Sequence, residues 1–275
     1  MKDPTRLSLA LSYTLLVLVS AFMLLPFVWV ISGSLKSQAE FLVNPGGWIP
    51  NNATLENYVV LFTEKGFLIY FTNSVIVAFF VVLCNMLLSA MVGYALVHLR
   101  FSGGRIVMGC VVAAMGIPYV AIFVPQFLIL VQFGLVDTLA GIALPFLVAP
   151  LSVFIMRQFA YSVPHQLMEA SRVDGASEIQ TFFRIYLPLT GPAITTVGIL
   201  SFLSSWNNFL WPLVVAQSQK TYTLSVGLAS ASQASNTLDF GVLLAGAMVI
   251  LVPVLILFLL LQRYFIQGVA ATGIK

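Results

Sequence analysis

The sequence predicts an all-α membrane protein with six transmembrane helices. Of its 275 residues, 60% are hydrophobic and 8% are charged, whereas a soluble domain carries about 25% charged residues. Six runs without Asp, Glu, Lys or Arg each reach at least 19 residues, close to the roughly 20 that a helix needs to cross a bilayer. The runs lack the alternation typical of transmembrane strands. A soluble enzyme is therefore excluded, and lipid surrounds most of the chain.

The charge-free runs place the helices within one predicted domain that covers residues 1–275. We expect helices near residues 9–31, 69–97, 107–131, 139–156, 191–215 and 241–262. Lys2 and Arg6 precede the first of them, as basic residues precede a signal peptide. Its apolar stretch of about 23 residues exceeds the roughly 7–15 of a cleavable signal sequence, so we expect a retained helix.

The distribution of basic residues predicts the orientation of these helices. Six spans put both termini on one side, and a cytoplasmic N-terminus leaves most Lys and Arg residues in inner segments, as the positive-inside rule requires. The inner residues are Lys2, Arg6, Arg100, Arg105, Arg157, Arg172, Arg184, Arg263 and Lys275, and the outer ones are Lys36, Lys65 and Lys220.

The net charge of +3 and the absence of a long basic run argue against nucleic acid as a partner.

Prolines interrupt two of the predicted spans. Pro118 and Pro125 fall in the third span, and Pro145 and Pro150 fall in the fourth. Proline removes a backbone donor and kinks a helix. Two interpretations stay open: irregular packing, which is common in membrane helices, or broken helices that line a translocation path.

The inner segment of residues 157–184 is unusually polar for this chain. It holds six of the 21 charged residues (12 basic and 9 acidic), three of each sign. A loop that lies on an anionic lipid surface is typically basic. The neutral balance of this loop therefore favours a protein partner.

The loop has the pattern of two short helices around a turn. We expect Ser162 to cap the first helix, with Pro164 in its opening turn and Gly175 ending it in the left-handed conformation. Ser177 is expected to cap the second helix, and Pro188 to close it. The apolar residues of this second helix, spaced by three and four, are Ile179, Phe182, Phe183 and Tyr186.

The same loop carries a specific arrangement of residues. Glu169-Ala170-Ser171 is followed after three residues by Gly175, and after nine more by Ile185-Tyr186-Leu187-Pro188. This arrangement resembles the EAA loop of permease subunits in binding-protein-dependent ABC importers. Similarity to the second permease subunit of maltose-type sugar importers extends over nearly the whole chain. It includes Tyr161-Ser162-Val163-Pro164, Asp174-Gly175-Ala176-Ser177, the segment from Ser205 to Pro212, and Leu261-Gln262-Arg263-Tyr264-Phe265.

The resemblance implies a type I ABC importer transmembrane domain in the cytoplasmic membrane of a prokaryote. Its loop, residues 157–190, would dock a coupling helix on a cytoplasmic ATPase. The implied coupling residues are Glu169, Ala170, Ser171, Asp174, Gly175, Leu187 and Pro188. Ser171 stands where the family usually has Ala, and Asn208 where it often has an acidic residue.

The resemblance also implies a set of partners. They are a second homologous permease, two copies of a P-loop ATPase that binds ATP and magnesium, an extracytoplasmic substrate-binding protein and a carbohydrate. The chain itself lacks a Gly-rich phosphate loop ending in Gly-Lys-Ser or Gly-Lys-Thr. We therefore expect a translocation subunit that is not an enzyme and binds no cofactor.

Polar residues near the middle of the fifth span are candidates for the substrate pathway. Unpaired amides are costly in hydrocarbon, so Asn207 and Asn208 are expected to face protein or a water-filled path. Beside Trp206 they suit sugar hydroxyls and sugar-ring faces, and Gln126 is a further candidate for a cavity wall. Hydrogen bonds between helices are the alternative role for these side chains.

Two other classes of membrane protein fit the sequence less well. An intramembrane protease needs a Ser nucleophile and a His at membrane depth, but His98 and His165 fall in predicted inner loops. An ATP-independent secondary transporter or channel subunit remains the alternative function, although such proteins tend to place ionisable residues in their spans. Neither histidine lies near a cysteine, so no metal site is predicted.

Overall fold

The computed structural model describes residues 6–99, 101–233 and 239–273, and the regular structure within them is helical. Lys2, Arg100 and Lys275, which entered the orientation prediction, lie outside these residues. The α-helices are α1 (Arg6–Ser34), α2 (Gln38–Val43), α3 (Glu56–Thr63), α4 (Phe67–His98), α5 (Gly104–Met115), α6 (Tyr119–Gln132), α7 (Leu139–Ala143), α8 (Pro150–Ala160), α9 (His165–Val173), α10 (Glu178–Thr181), α11 (Leu187–Leu189), α12 (Gly191–Trp206), α13 (Leu210–Val215), α14 (Leu224–Gln233) and α15 (Phe240–Gly273). A 3₁₀ turn covers Leu144–Phe146 and a π-helix covers Phe182–Tyr186.

Three single helices are long and apolar enough to cross a membrane. They are α1 from Leu9 onward, α4, and α15 as far as Gln262. Three more spans result when a bent pair of helices is counted as one span. The first pair is α5 with α6, bent by 106°. The other two are Leu139–Phe146 with α8, bent by 43°, and Glu178–Leu189 with α12, bent by 81°. This agrees with the six predicted spans and with the all-α membrane class.

The third predicted helix, residues 107–131, is wrong as a continuous element. α5 ends at Met115, and α6 begins only after Pro118, whose ψ of 131° is extended. Proline has no N–H to continue the α-helical ladder, and it disfavours helix in the residue before it. Pro125, by contrast, lies inside α6 without ending it.

The fourth and fifth predicted helices are also interrupted. The fourth passes into the 3₁₀ turn and restarts with Pro150 in the first turn of α8. The fifth, predicted over 191–215, ends at Trp206 with Asn207 as its C-cap, and α13 is separate. The Asn207 amide donates to the carbonyl of Leu203 at 2.9 Å, and such a bond from an Asn side chain competes with helix continuation.

The chain forms two compact units, of which the first comprises Met1–Phe67 and Leu228–Pro253. Asn57 is the centre of its hydrogen bonding, because the Asn57 amide nitrogen donates at 2.8 Å to the carbonyls of both Ser34 and Lys36. Lys36 is 1% exposed, and its ammonium donates to the carbonyl of Gly47. These bonds fix the segment that follows α1.

The second unit comprises Leu68–Gly227 and Val254–Lys275 and contains two buried apolar clusters. One surrounds Tyr94, Met156 and Tyr186, and the other surrounds Trp211, whose indole N–H donates to the carbonyl of Gly141 at 3.1 Å.

In the first cluster α4 lies against α8 at Gly93. A Cβ there would stand 2.9 Å from the carbonyl carbon of Met156, so only glycine allows this backbone approach.

Replacing Gly93 with Ala is expected to lower the free energy of unfolding by about 1–3 kcal/mol, because overpacking against backbone cannot be relieved by a side-chain rotation. The measurement is the thermal unfolding midpoint of the purified chain in detergent. Gly109→Ala is the matched control, since a Cβ at Gly109 meets nothing within 4 Å and Ala favours helix over Gly. Equal midpoints for the two variants would contradict the close approach.

Candidate functional site

The turn of the inner loop is closed by Gly175, as the sequence predicts. Gly175 has a φ of +79°, in the left-handed region. The Ala176 N–H donates to the Ser171 carbonyl at 2.9 Å, and the Gly175 N–H donates to the Arg172 carbonyl at 3.1 Å. This pair of bonds is the Schellman motif that ends a helix, and it sets the direction in which the chain leaves α9.

The two helix starts of the loop differ in their outcome. Ser177 caps α10 as predicted, with a capping box in which the Ser177 hydroxyl accepts from the Gln180 N–H and the Gln180 side chain accepts from the Ser177 N–H. The predicted cap at Ser162 is wrong. The Ser162 hydroxyl donates instead to the Phe159 carbonyl at 2.6 Å, which satisfies the end of α8, and Pro164 is the N-cap of α9.

The predicted end of the second helix at Pro188 is also wrong. A π-helix, Phe182–Tyr186, follows α10, and Pro188 then lies inside α11. In a π-helix each carbonyl accepts from the N–H five residues later, not four. The carbonyl four residues before a proline, which has no N–H, can therefore accept from the residue after the proline. The break comes at Thr190, whose hydroxyl donates to the carbonyls of Tyr186 and Leu187 at 3.1 and 3.2 Å.

A shared carboxylate joins the loop to the end of α4. Glu178 accepts from the Arg172 Nε at 2.6 Å and from the Tyr94 hydroxyl at 2.7 Å. The hydrogen bonds from Arg172 and Tyr94 hold the pKa of the Glu178 carboxyl below its ordinary value. An Arg172 Nη2 also reaches the His98 carbonyl at 3.4 Å, and the Nδ1 atoms of His98 and His165 are 3.3 Å apart.

The contribution of α4 to this site was missed at the sequence level. Tyr94 and His98 lie four residues apart at the C-terminal end of α4 and therefore share one helix face. That spacing was the available signal. Their partners in the loop are more than sixty residues away along the chain, and nothing local identifies such a contact.

The predicted coupling residues divide between the interior and the surface. Ser171 is 5% exposed, and its hydroxyl lies 2.8 Å from that of the fully buried Thr181, so it connects α9 to α10. The exposed members are Glu169, Ala170, Asp174, Gly175 and Pro188, and Leu187 is half-buried.

Two apolar side chains lie at the surface beside these residues. Val173 is 87% exposed and Ile179 is 71% exposed. We call Glu169, Ala170, Val173, Asp174 and Ile179 the exposed loop face.

The predicted pathway residues are not all in one place. Gln126 lines a cavity of about 490 Å³ in the second unit. Trp206 is 4% exposed and its ring stacks on Phe202 with centroids 5.3 Å apart. Asn207 is exposed and Asn208 half-buried, and among the described residues none of Trp206, Asn207 and Asn208 lines that cavity. The described residues also contain no group of three or more His, Cys, Asp or Glu side chains placed to hold a metal ion.

The family described as binding-protein-dependent transport system inner membrane component matches residues 85–271. The arabinooligosaccharides transport system permease protein of Halalkalibacterium halodurans is 38% identical over 97% of this chain and 95% of that protein. The diacetylchitobiose uptake system permease protein of Streptomyces coelicolor is 35% identical over 92% and 85%. The trehalose transport system permease protein of Mycobacterium tuberculosis is 31% identical over 94% of both chains.

A solved structure has the same fold. It is a chain in the crystal structure of a bacterial ABC transporter involved in the import of the acidic polysaccharide alginate. The TM-score is 0.83 at 24% sequence identity, with 96% of this chain and all of that chain covered. The whole inner loop lies within the part of the chain that the family matches.

Gly175→Val is expected to destabilise the loop by about 1–2 kcal/mol, the cost of holding an L-residue in the left-handed region. A Cβ at this position meets nothing within 4 Å, so the loss comes from backbone conformation and not from a clash. Asn tolerates the left-handed region, and Gly175→Asn should therefore retain most of the stability. Unfolding midpoints and limited proteolysis of the loop measure the difference. Equal losses for Val and Asn would show that conformation is not the cause.

Proposed function

Because the chain belongs to the family of binding-protein-dependent transport system inner membrane components, we propose that its loop of residues 157–190 couples solute movement to a separate ATPase. The chain is the transmembrane permease subunit of a carbohydrate ABC importer. The observation that carries the proposal is the exposed loop face, held on a rigid turn and joined through one carboxylate to α4.

The chemistry of the exposed loop face supports docking on a protein. Ala170 is small and exposed, so a partner backbone can approach it closely, while Val173 and Ile179 offer apolar area that water solvates poorly. Glu169 can form a charge-assisted hydrogen bond with a basic group of the partner. The loop is neutral overall, which suits a cleft in a protein better than an anionic membrane surface.

The joint at Glu178 gives the loop a route to the membrane helices. Arg172 and Tyr94 bind opposite oxygens of the same carboxylate, so a displacement of α9 is transmitted to α4. ATP-driven closure of the ATPase pair then favours one arrangement of the helices over another, which is a shift of populations. Hydrolysis, with ATP and magnesium, belongs to the partner subunits.

The family supports the rest of the assembly that we propose. This single transmembrane domain pairs with a second homologous permease, two ATPase subunits and an extracytoplasmic substrate-binding protein. Both termini lie in the cytoplasm, in keeping with the excess of Lys and Arg in the inner segments. This orientation places the exposed loop face on the ATP side of the membrane.

The solute is proposed to be a di- or oligosaccharide. The three relatives are named for arabinooligosaccharides, diacetylchitobiose and trehalose, which are uncharged sugars.

The test of this function is a pull-down of the tagged chain from native membranes in mild detergent, followed by reconstitution in liposomes. We expect a P-loop ATPase and a second permease to co-purify. With the binding protein added, the complex should take up at least one sugar of a panel of arabinotriose, diacetylchitobiose and trehalose, and only with ATP. A chain that is recovered alone and moves a panel sugar without ATP would instead support the secondary-transporter alternative.

Ala170→Leu is expected to reduce recovery of the ATPase subunit by about tenfold, because added bulk on the exposed loop face blocks close docking at a cost of about 1.4 kcal/mol. The pull-down, quantified per mole of permease, is the measurement. Ala53→Leu makes the same change at an exposed position in the predicted outer segment and should leave recovery unchanged. If Ala170→Leu recovers as much ATPase as the wild type, Ala170 does not lie in the docking surface.

A further inference from the structure

A second cavity, of about 680 Å³, lies where the start of α5 meets the end of α8, within the second compact unit. Arg105, in the first turn of α5, and Arg157, in the last turn of α8, both line it. Tyr161, which directly follows α8, is part of the same wall. No residue of the exposed loop face is among the described residues that line this cavity. In the proposed orientation these helix ends lie at the cytoplasmic face, where the lipid surface is anionic.

The polar end of this cavity is positively charged. The central carbon of the Arg157 guanidinium lies 4.9 Å from the centroid of the Tyr161 ring, and its Nη2 donates to the Tyr161 hydroxyl at 2.6 Å. A phenol orients a guanidinium but does not neutralise it. Among the described residues neither Arg105 nor Arg157 forms an ion pair, and the described lining residues include no acidic side chain. Two guanidinium groups without a counter-charge favour an anionic ligand.

The first turn of α5 adds to this positive potential. Its N-cap, Gly103, offers no side chain to the N–H groups of that turn, and the turn contains no acidic residue. A helix start of this kind carries a partial positive charge and favours an anion. Gly104, the first residue of α5, lines the cavity together with Arg105. The anion best matched to this setting is a phosphate, because a planar guanidinium can bond two of its oxygens at once.

The other end of the cavity is apolar and follows one face of α5. Arg105, Met108, Gly109 and Val112 all line the cavity, and their spacing of three, four and seven residues places them in one row. The row is about 10 Å long at 1.5 Å per residue. Val112 is 51% exposed, and a Cβ at Gly109 would meet nothing within 4 Å, so there is open space beside the row. A matching ligand therefore has an anionic end and an apolar end.

We propose that this cavity is a binding site for one anionic phospholipid of the cytoplasmic leaflet. The lipid phosphate lies between Arg105 and Arg157, and one acyl chain follows the row from Met108 to Val112. Basic pockets between membrane helices on the cytoplasmic side are suited to such headgroups. Phosphatidylglycerol has a negative headgroup without a cation, whereas phosphatidylcholine would bring an ammonium group beside two guanidinium groups. The proposal goes beyond the proposed function and takes from it only the orientation of the chain.

The test is native mass spectrometry of the tagged full chain, with the subunits that co-purify, in neutral detergent after depletion of lipid. We expect one phosphatidylglycerol to bind about tenfold more tightly than phosphatidylcholine with the same acyl chains. Arg105→Gln and Arg157→Gln should each weaken phosphatidylglycerol binding by about fivefold, the contribution of one basic residue near an anionic lipid. Wild-type affinity in both variants would overturn the site.

Arg184→Gln is the matched control for these two variants. Arg184 is an exposed arginine of the same predicted inner region, and it is not among the described residues that line the cavity. Its replacement removes the same charge and should leave phosphatidylglycerol binding unchanged. Equal losses in all three variants would show a general attraction of anionic lipid to the chain, which overturns a site at this cavity.

A variant at the apolar end separates a lipid from a free phosphate. Gly109→Leu fills the open space beside the row and should weaken phosphatidylglycerol binding by about fourfold, the contribution of one buried methylene. Inorganic phosphate at the concentration of the lipid should not displace it. Displacement by phosphate, or wild-type lipid affinity of a folded Gly109→Leu variant, overturns the assignment to a lipid. The arginine variants decide if Gly109→Leu does not fold.

The lipid measurement uses neither ATP nor sugar, so its outcome is independent of the proposed function. Sugar uptake without ATP, together with weakened lipid binding in the arginine variants, would retain the site and remove the proposed function. ATP-driven uptake by a complex that binds phosphatidylglycerol and phosphatidylcholine equally would retain the function and overturn the site.

Discussion

Hydrocarbon supplies no hydrogen bonds, so every polar group in the membrane-spanning part of this chain must be satisfied by the chain itself, by water or by a guest. Most polar side chains there follow this constraint directly. The Asn73 amide donates to two carbonyls of the segment between α13 and α14, at Lys220 and Tyr222, and the Thr190 hydroxyl donates to the carbonyls of Tyr186 and Leu187.

The proposed coupling role places a different requirement on the loop of residues 157–190, which has to be stiff and still present a surface. Its stiffness comes from local chemistry: a left-handed glycine, a capping box and a hydroxyl pair that joins α9 to α10. Its connection to the membrane comes from one carboxylate with two donors. The outward side chains take little part in shaping the loop, so in the proposed complex the residues that shape the loop and those that would contact the ATPase are largely different.

Features governed by neighbouring residues were predictable from the sequence. The charge-free runs predicted six spans, in agreement with the up to six candidate spans of the described residues, and Gly175 and Ser177 were identified because a C-cap and an N-cap depend on a few adjacent positions. The failures involve competition that a sequence does not display. Pro118 breaks its helix while Pro125 and Pro188 do not, since the neighbouring turns decide whether the missing donor is tolerated. The coupling and pathway roles of individual residues stay predictions, and the links to Tyr94 depend on contacts far apart along the chain.

The glycine at position 93 has a mechanical consequence. At the contact of Gly93 with the backbone of Met156, α4 and α8 have no side chain between them to deform, and close-packed surfaces transmit force with little compression. A displacement of either helix at this point is therefore passed to the other with little loss. The contact lies one residue from Tyr94, which donates to the Glu178 carboxylate.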